Sequence, residues 1–326
     1  MKLLNLPEAF EQYRTLIEET IQPTVFIETE ERKTSLFESK FAGDPYFPLS
    51  MEYPKNPEGQ PLKLLAQINF ADISKHLPNF PVEGILQYYI DGYDDVLGMD
   101  FDNGQNQKGF RVIFHEHIVS DGSQLVQDFA FVEANEEELY FPVEKEMALS
   151  FGADYEPLSA SDFRSEKLYA KILANIEDND NLVDLFYETL NSTGHKIGGY
   201  PFFTQEDPRA YGDYTDSTIL LLQIDSIGEH ILWGDVGVGN FFITEDELKR
   251  KDFSKVLYNG IAINRKWNRK KASGYRASTC FYLHSTNLFC AKAKRQQQIF
   301  SVRKRSVSNK SFMCESGASA TKDFYL

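Results

Sequence analysis

His115 and His117 fall in a stretch where Phe110, Val112 and Phe114 alternate with other residues. On a strand, a spacing of two puts both imidazoles on one face, a pair able to ligate zinc or iron. A third ligand is needed and no sequence neighbour supplies it, so a solvated strand face is expected and no metal is assigned. Asp91, Asp94, Asp95, Asp100 and Asp102 form an acidic run. Asp100-x-Asp102-x-Gly104 opens like a calcium loop, but its glycine comes one place early and Arg111 stands where a bidentate glutamate belongs. With Asn103-Gly104 as a turn signal, this run reads as an acidic hairpin between strands at 84–90 and 109–119. Gly234, Gly237 and Gly239 lack both phosphate-loop orders and precede Phe241-Phe242-Ile243, so they read as a turn or bulge where two backbones approach. The chain has no Gly-x-Ser-x-Gly elbow, and neither catalytic residues nor a cofactor are assigned.

The polar residues that stand out are Lys40, Gln67, Lys196 and Gln223. Ser39-Lys40-Phe41-Ala42-Gly43-Asp44-Pro45-Tyr46-Phe47-Pro48 matches His195-Lys196-Ile197-Gly198-Gly199-Tyr200-Pro201-Phe202-Phe203-Thr204 at an offset of 156. At the same offset Leu64-Leu65-Ala66-Gln67-Ile68-Asn69 falls on Leu220-Leu221-Leu222-Gln223-Ile224-Asp225. After a change in loop length, Gly84-Ile85-Leu86-Gln87 parallels His230-Ile231-Leu232-Trp233. Two copies make a duplicated unit rather than a solenoid. The kept lysine and glutamine could line a pseudo-symmetric groove. The favoured reading is structural, because a glutamine inside an apolar strand must find hydrogen-bond partners.

The elements that carry these residues follow from pattern. Apolar strands are expected at 63–70 and 218–224, followed by 84–90 and 230–236, then 109–119, 128–134 and 240–244. Helices are expected at 7–21, 161–177 and 181–191. Thr244 and Glu247 spell a capping box before a short helix. Most of the 26 Phe and 17 Tyr are expected in the core rather than in a sugar- or peptide-binding cleft.

Charge is divided unevenly. Residues 260–326 hold 14 of the 34 Lys and Arg but only 2 of the 49 Asp and Glu. Residues 1–259 therefore carry a net −27 and repel phosphate backbones, which argues against nucleic acid as a partner of this part. Cys280, Cys290 and Cys314 all lie beyond it, excluding thiolate catalysis and Cys-ligated zinc within 1–259. The longest apolar run, Ile219-Leu220-Leu221-Leu222, is too short to cross a membrane, and Glu8 and Glu11 interrupt any leader, so a cytoplasmic location is expected.

Ser39 to Pro48, Leu65-Ala66-Gln67-Ile68-Asn69-Phe70, Asp100-Phe101-Asp102-Asn103, Gly198-Gly199-Tyr200-Pro201, Trp233 to Gly237 and Phe241-Phe242-Ile243 together resemble the uncharacterised YwqG-like family over about residues 1–259. The resemblance implies a bacterial, duplicated α+β protein and brings no reaction or catalytic residue. That family commonly ends in Tyr-Asn-Trp-Asp-Cys. Loss of one base after the Asn codon converts such an ending to Tyr-Asn-Gly-Ile-Ala-Ile, as in Tyr258-Asn259-Gly260-Ile261-Ala262-Ile263 here. The basic stretch 260–326 is thus expected to be disordered, frameshifted sequence. The other reading is a tail for nucleic acid or an anionic membrane.

The expected fold is α+β: an internal duplication forming two sheets with flanking helices, repeat one at about 39–150, a helical connector at about 161–191 and repeat two at about 195–259. The expected function is a non-catalytic binding or interaction module with another protein as partner, immunity-like in one version. The alternative is a hydrolase using Asp/Glu carboxylates with a metal or water in a cleft between the repeats.

Overall fold

The computed structural model describes residues 4–75, 77–132, 140–234 and 236–261. The basic stretch beyond 261, with the expectations placed on it, lies outside the described residues. Ten strands form: β1 (Gln22–Glu31), β2 (Lys40–Phe41), β3 (Lys63–Asn69), β4 (Ile85–Ile90), β5 (Phe110–His115), β6 (Met147–Glu156), β7 (His195–Gly198), β8 (Ile219–Asp225), β9 (Val238–Ile243) and β10 (Leu257–Ile261). All belong to one sheet in the order β10-β9-β8-β7-β1-β6-β2-β3-β4-β5. Every pairing is antiparallel.

This corrects the expectation of two sheets in an α+β fold. The protein is mostly β, and the cause is the β1–β6 pair. These strands run side by side from Gln22↔Glu156 to Glu31↔Met147. β1 also pairs with β7, and β6 with β2, so the two meanders β2–β5 and β7–β10 are stitched into a single sheet. Each central strand therefore lies beside the meander that follows the other in the chain.

The sheet curls until its two ends meet. Tyr88 on β4 packs against Phe241 on β9 with ring centroids 4.9 Å apart, and Phe110 on β5 against Tyr258 on β10 at 5.1 Å. Alternation sends Leu86, Tyr88 and Ile90 to this inner face and Ile85 and Tyr89 to the outer one. Trp233 is fully buried inside; a Cβ at Gly239 would come within 2.2 Å of its indole, so only glycine fits there.

Short helices cover one region of the outer surface. A 3-10 turn (Glu8–Tyr13) leads into α1 (Arg14–Glu18), where a single helix over 7–21 was expected. The connector breaks into α2 (Ser165–Leu168), α3 (Ala170–Ile176) and α4 (Asp180–Thr189). Phe10, Tyr13 and Ile17 pack with Tyr169, Ile172, Ile176 and Phe186. Thr244 caps α5 (Glu245–Lys249) by accepting from the Glu247 N–H, one half of the expected capping box; the Glu247 carboxylate accepts from the Thr244 hydroxyl.

Two further expectations are corrected. Among the described residues of 230–236 no strand forms; Ile231 makes an isolated bridge to Val143. On the side away from β7, β8 pairs with β9. Residues 130–132, expected to be extended, form a 3-10 turn. Among the described residues no helix is long and apolar enough to cross a membrane.

Candidate functional site

Lys40 and Gln67 sit opposite one another on β2 and β3, and Lys196 and Gln223 do so on β7 and β8. All four side chains are fully buried on the outer face. β1 and β6 separate the two pairs, so no shared groove brings them together.

Each glutamine grips the two loops that flank the strand before its own. Gln67 Oε1 accepts from the Tyr46 N–H at 2.8 Å, while its amide donates to the carbonyls of Leu36 at 2.8 Å and Glu38 at 2.9 Å. Gln223 Oε1 accepts from Phe202 N–H at 2.7 Å and its amide donates to Ser192 at 2.9 Å and Gly194 at 2.8 Å. Each partner in one half is the offset counterpart of a partner in the other. The next strand adds a second grip: Gln87 on β4 donates to the Tyr46 carbonyl, and Asn240 on β9 donates to the Phe202 carbonyl. Gln87 lies opposite Gln67, and Asn240 opposite Gln223. Both ladders carry the same bulge, after Leu64 in one and Leu220 in the other.

The lysines differ in their partners. Lys40 Nζ donates to the carbonyls of Ser35 at 2.6 Å and Asp44 at 2.8 Å. Burial, against the pull of Glu146, Asp44 and Glu38 nearby, pushes its pKa down to about 8. Lys196 Nζ donates to both oxygens of Glu156, each at 2.9 Å. Burial also lowers the Lys196 pKa, with Glu156 opposing. The turns beside them match. Ala42 and Gly43 have φ of 54° and 75°; Gly198 and Gly199 have 70° and 63°. At Gly43 a Cβ would meet the Glu146 carboxyl carbon at 2.6 Å, and at Gly199 it would meet Glu156 Oε1 at 2.2 Å. Both positions need glycine for backbone and for space.

The two histidines are not brought together. β5 ends at His115, so His117 shares no strand face with it. His117 is exposed, while His115 is buried, its Nε2 2.8 Å from Gln87 Oε1 and its ring edge-on to Tyr46. Burial pushes His115 down to about 4, leaving it neutral. The acidic run caps its own loop: Asp100 accepts from the N–H groups of Asp102 and Asn103, and Asp91 from that of Tyr93. Among the described residues no group of three His, Cys, Asp or Glu is placed to hold a metal ion. In the glycine-rich loop, Asp235 lies outside the described residues, and the close approach at Gly239 is to an indole ring rather than to a backbone.

Several buried polar groups escaped the sequence reading. Arg209 is fully buried, bonded to Asp162 and Asp207 and lying over the Phe242 ring at 4.2 Å. Tyr53 occupies the counterpart position and packs on Phe47 and Tyr89, so a guanidinium and a phenol roof equivalent aromatic pairs. His195 accepts from the Asp225 N–H through Nδ1, as Ser39 Oγ accepts from Asn69 N–H. Burial pushes His195 down to about 4. Gln87 and Asn240 had a signal: each is a lone amide in an apolar string, Ile85-Leu86-Gln87-Tyr88-Tyr89-Ile90 and Val238-Gly239-Asn240-Phe241-Phe242-Ile243.

Fold and site together define a curled antiparallel β protein in which two matching buried amide clamps hold the loops of the outer face. A family model described as a domain of unknown function (DUF1963) matches residues 39–260, and the chain belongs to that family. No curated protein matches the chain.

Proposed function

We propose that this protein is a cytoplasmic, non-catalytic binding module of the YwqG-like kind, built by internal duplication within about residues 1–259, whose partner is a basic protein. The observation that carries this reading is the fate of the polar residues kept in both halves. Lys40, Gln67, Lys196 and Gln223 are buried and bonded within the fold, so they hold loops rather than meet a substrate. What residues 1–259 offer outward is charge, a net −27, which steers cationic partners and repels anionic ones. A basic toxin is one such partner, which makes an immunity-like role one form of this reading. Residues from 260 onward are proposed to be read in a shifted frame; the family match ends at residue 260. Genomic sequence around codon 260 tests that directly: an intact frame through Asn264 removes the idea.

Native mass spectrometry of the full chain isolated from its own cells tests the binding reading. The expected result is one stoichiometric basic protein that dissociates at about 0.5 M salt, where screening is strong. A free chain that turns over ester or phosphoester substrates contradicts it.

A further inference from the structure

We infer that the outer edge of β6 at Phe151 and Ala153 is a strand-addition site for an extended basic segment of a partner; this rests on the binding-module reading and gives it a location. β2 covers β6 only at Met147 and Ala148. Leu149 N–H still donates to the Ser39 carbonyl on that side, so by alternation Phe151 and Ala153 also turn their N–H and C=O groups away from β1. No strand among the described residues pairs with them there. The edge closes after Ala153, because Asp154 Oδ1 accepts from the Tyr155 N–H and Lys75 lies over the Tyr155 ring.

The other central strand has a matching open end, and it is guarded. β1 beyond Ile27 carries Glu28, Glu30 and Glu31, all exposed, and Glu31 is paired with Lys145. Charges of this kind are how sheets keep open edges from pairing. β6 carries Ser150, Phe151, Gly152 and Ala153 instead.

The surroundings specify the occupant. Nothing lies within 4 Å of where a Cβ on Gly152 would stand, and half-buried Phe26 lies directly across from it. A large apolar side chain on an added strand would cross the bare Gly152 backbone onto that ring. Two residues to either side, added side chains would meet Asp154 and Ser150, the latter opposite Glu28. Both flanking positions therefore favour Lys or Arg, giving the pattern basic-x-aromatic-x-basic.

The probe is a blocked Lys-Val-Phe-Val-Lys peptide titrated into the full chain, followed by amide hydrogen exchange. Phe151 and Ala153 should gain protection saturably, and a Glu-Val-Phe-Val-Glu peptide should bind at least about tenfold more weakly. Ala153→Pro should abolish the effect without unfolding the protein, since that N–H faces away from β1 and proline is tolerated on such edges. Gly152→Lys, placed where there is open space, should do the same by charge and bulk. Protection that survives both substitutions, or no saturable change, overturns the site. So does self-association of the free chain through this edge. Binding of a natural basic partner that leaves Phe151 and Ala153 unchanged sinks the edge and spares the binding module.

Discussion

Gln67 and Gln223, 156 residues apart, hold their loops with the same grip: one N–H accepted and two carbonyls bonded, at positions that correspond one for one. Replacing either by Leu leaves the same three buried backbone groups without partners. Each substitution should cost about 2–4 kcal/mol in chemical denaturation. Gln67→Leu should be the larger loss, because Gln87 also donates to Gln67. If either variant is as stable as the parent, the clamp has been misread.

The lysines should separate. Lys196→Met strands the Glu156 carboxylate in a buried setting and should cost about 3–5 kcal/mol. Lys40→Met strands two carbonyls and should cost about 1–2 kcal/mol. Lys40 has a folded pKa of about 8, below its ordinary 10.5. The unfolded chain therefore holds that proton to higher pH, and stability should rise between about pH 8 and 10.5. Denaturation curves across that range should flatten in Lys40→Met; equal costs for the two variants would contradict the different partners.

Acid acts through the two buried histidines. His115 and His195 are both pushed by burial from 6.5 to about 4. Their folded pKa values lie below the unfolded ones, so the stabilising neutral state is complete above about pH 6.5 and is lost as pH falls toward 4. The slope should be about 1.4 kcal/mol per pH unit for each imidazole within that window. His115→Gln should remove one share of the slope in urea melts at pH 4.5 to 7; an unchanged slope rejects the assignment.

Gly43→Ala and Gly199→Ala each force a side chain into left-handed backbone against a glutamate. Each should cost at least about 1–3 kcal/mol of strain. Thermal melts provide the check, and a neutral change at either position would mean that its turn can relax.

The local units were legible because apolar strings and glycine-proline turns repeat at one offset. The clamps were half legible: Gln67 and Gln223 align at 156, but Gln87 and Asn240 align at 153, since the intervening loops differ in length. The sequence therefore sets residues 230–236 against β4, whereas β9 is the strand that occupies the equivalent place in the sheet. The single sheet could not be read. β1 begins Gln22-Pro23 and ends in exposed glutamates, and much of β6 is exposed, so neither shows an alternating apolar face. Which strands become neighbours is a long-range outcome, and β2 is only two residues long.

β1 and β6 join the two meanders into one sheet. Because Leu149 faces β2, the close, non-hydrogen-bonded pairs of that ladder are Ile27 with Phe151 and Val25 with Ala153. Cross-strand Hα–Hα nuclear Overhauser effects between these residues are the most direct measurement. Both pairs should give strong effects; their absence in a spectrum that retains the β3–β4 and β8–β9 effects would leave two separate sheets.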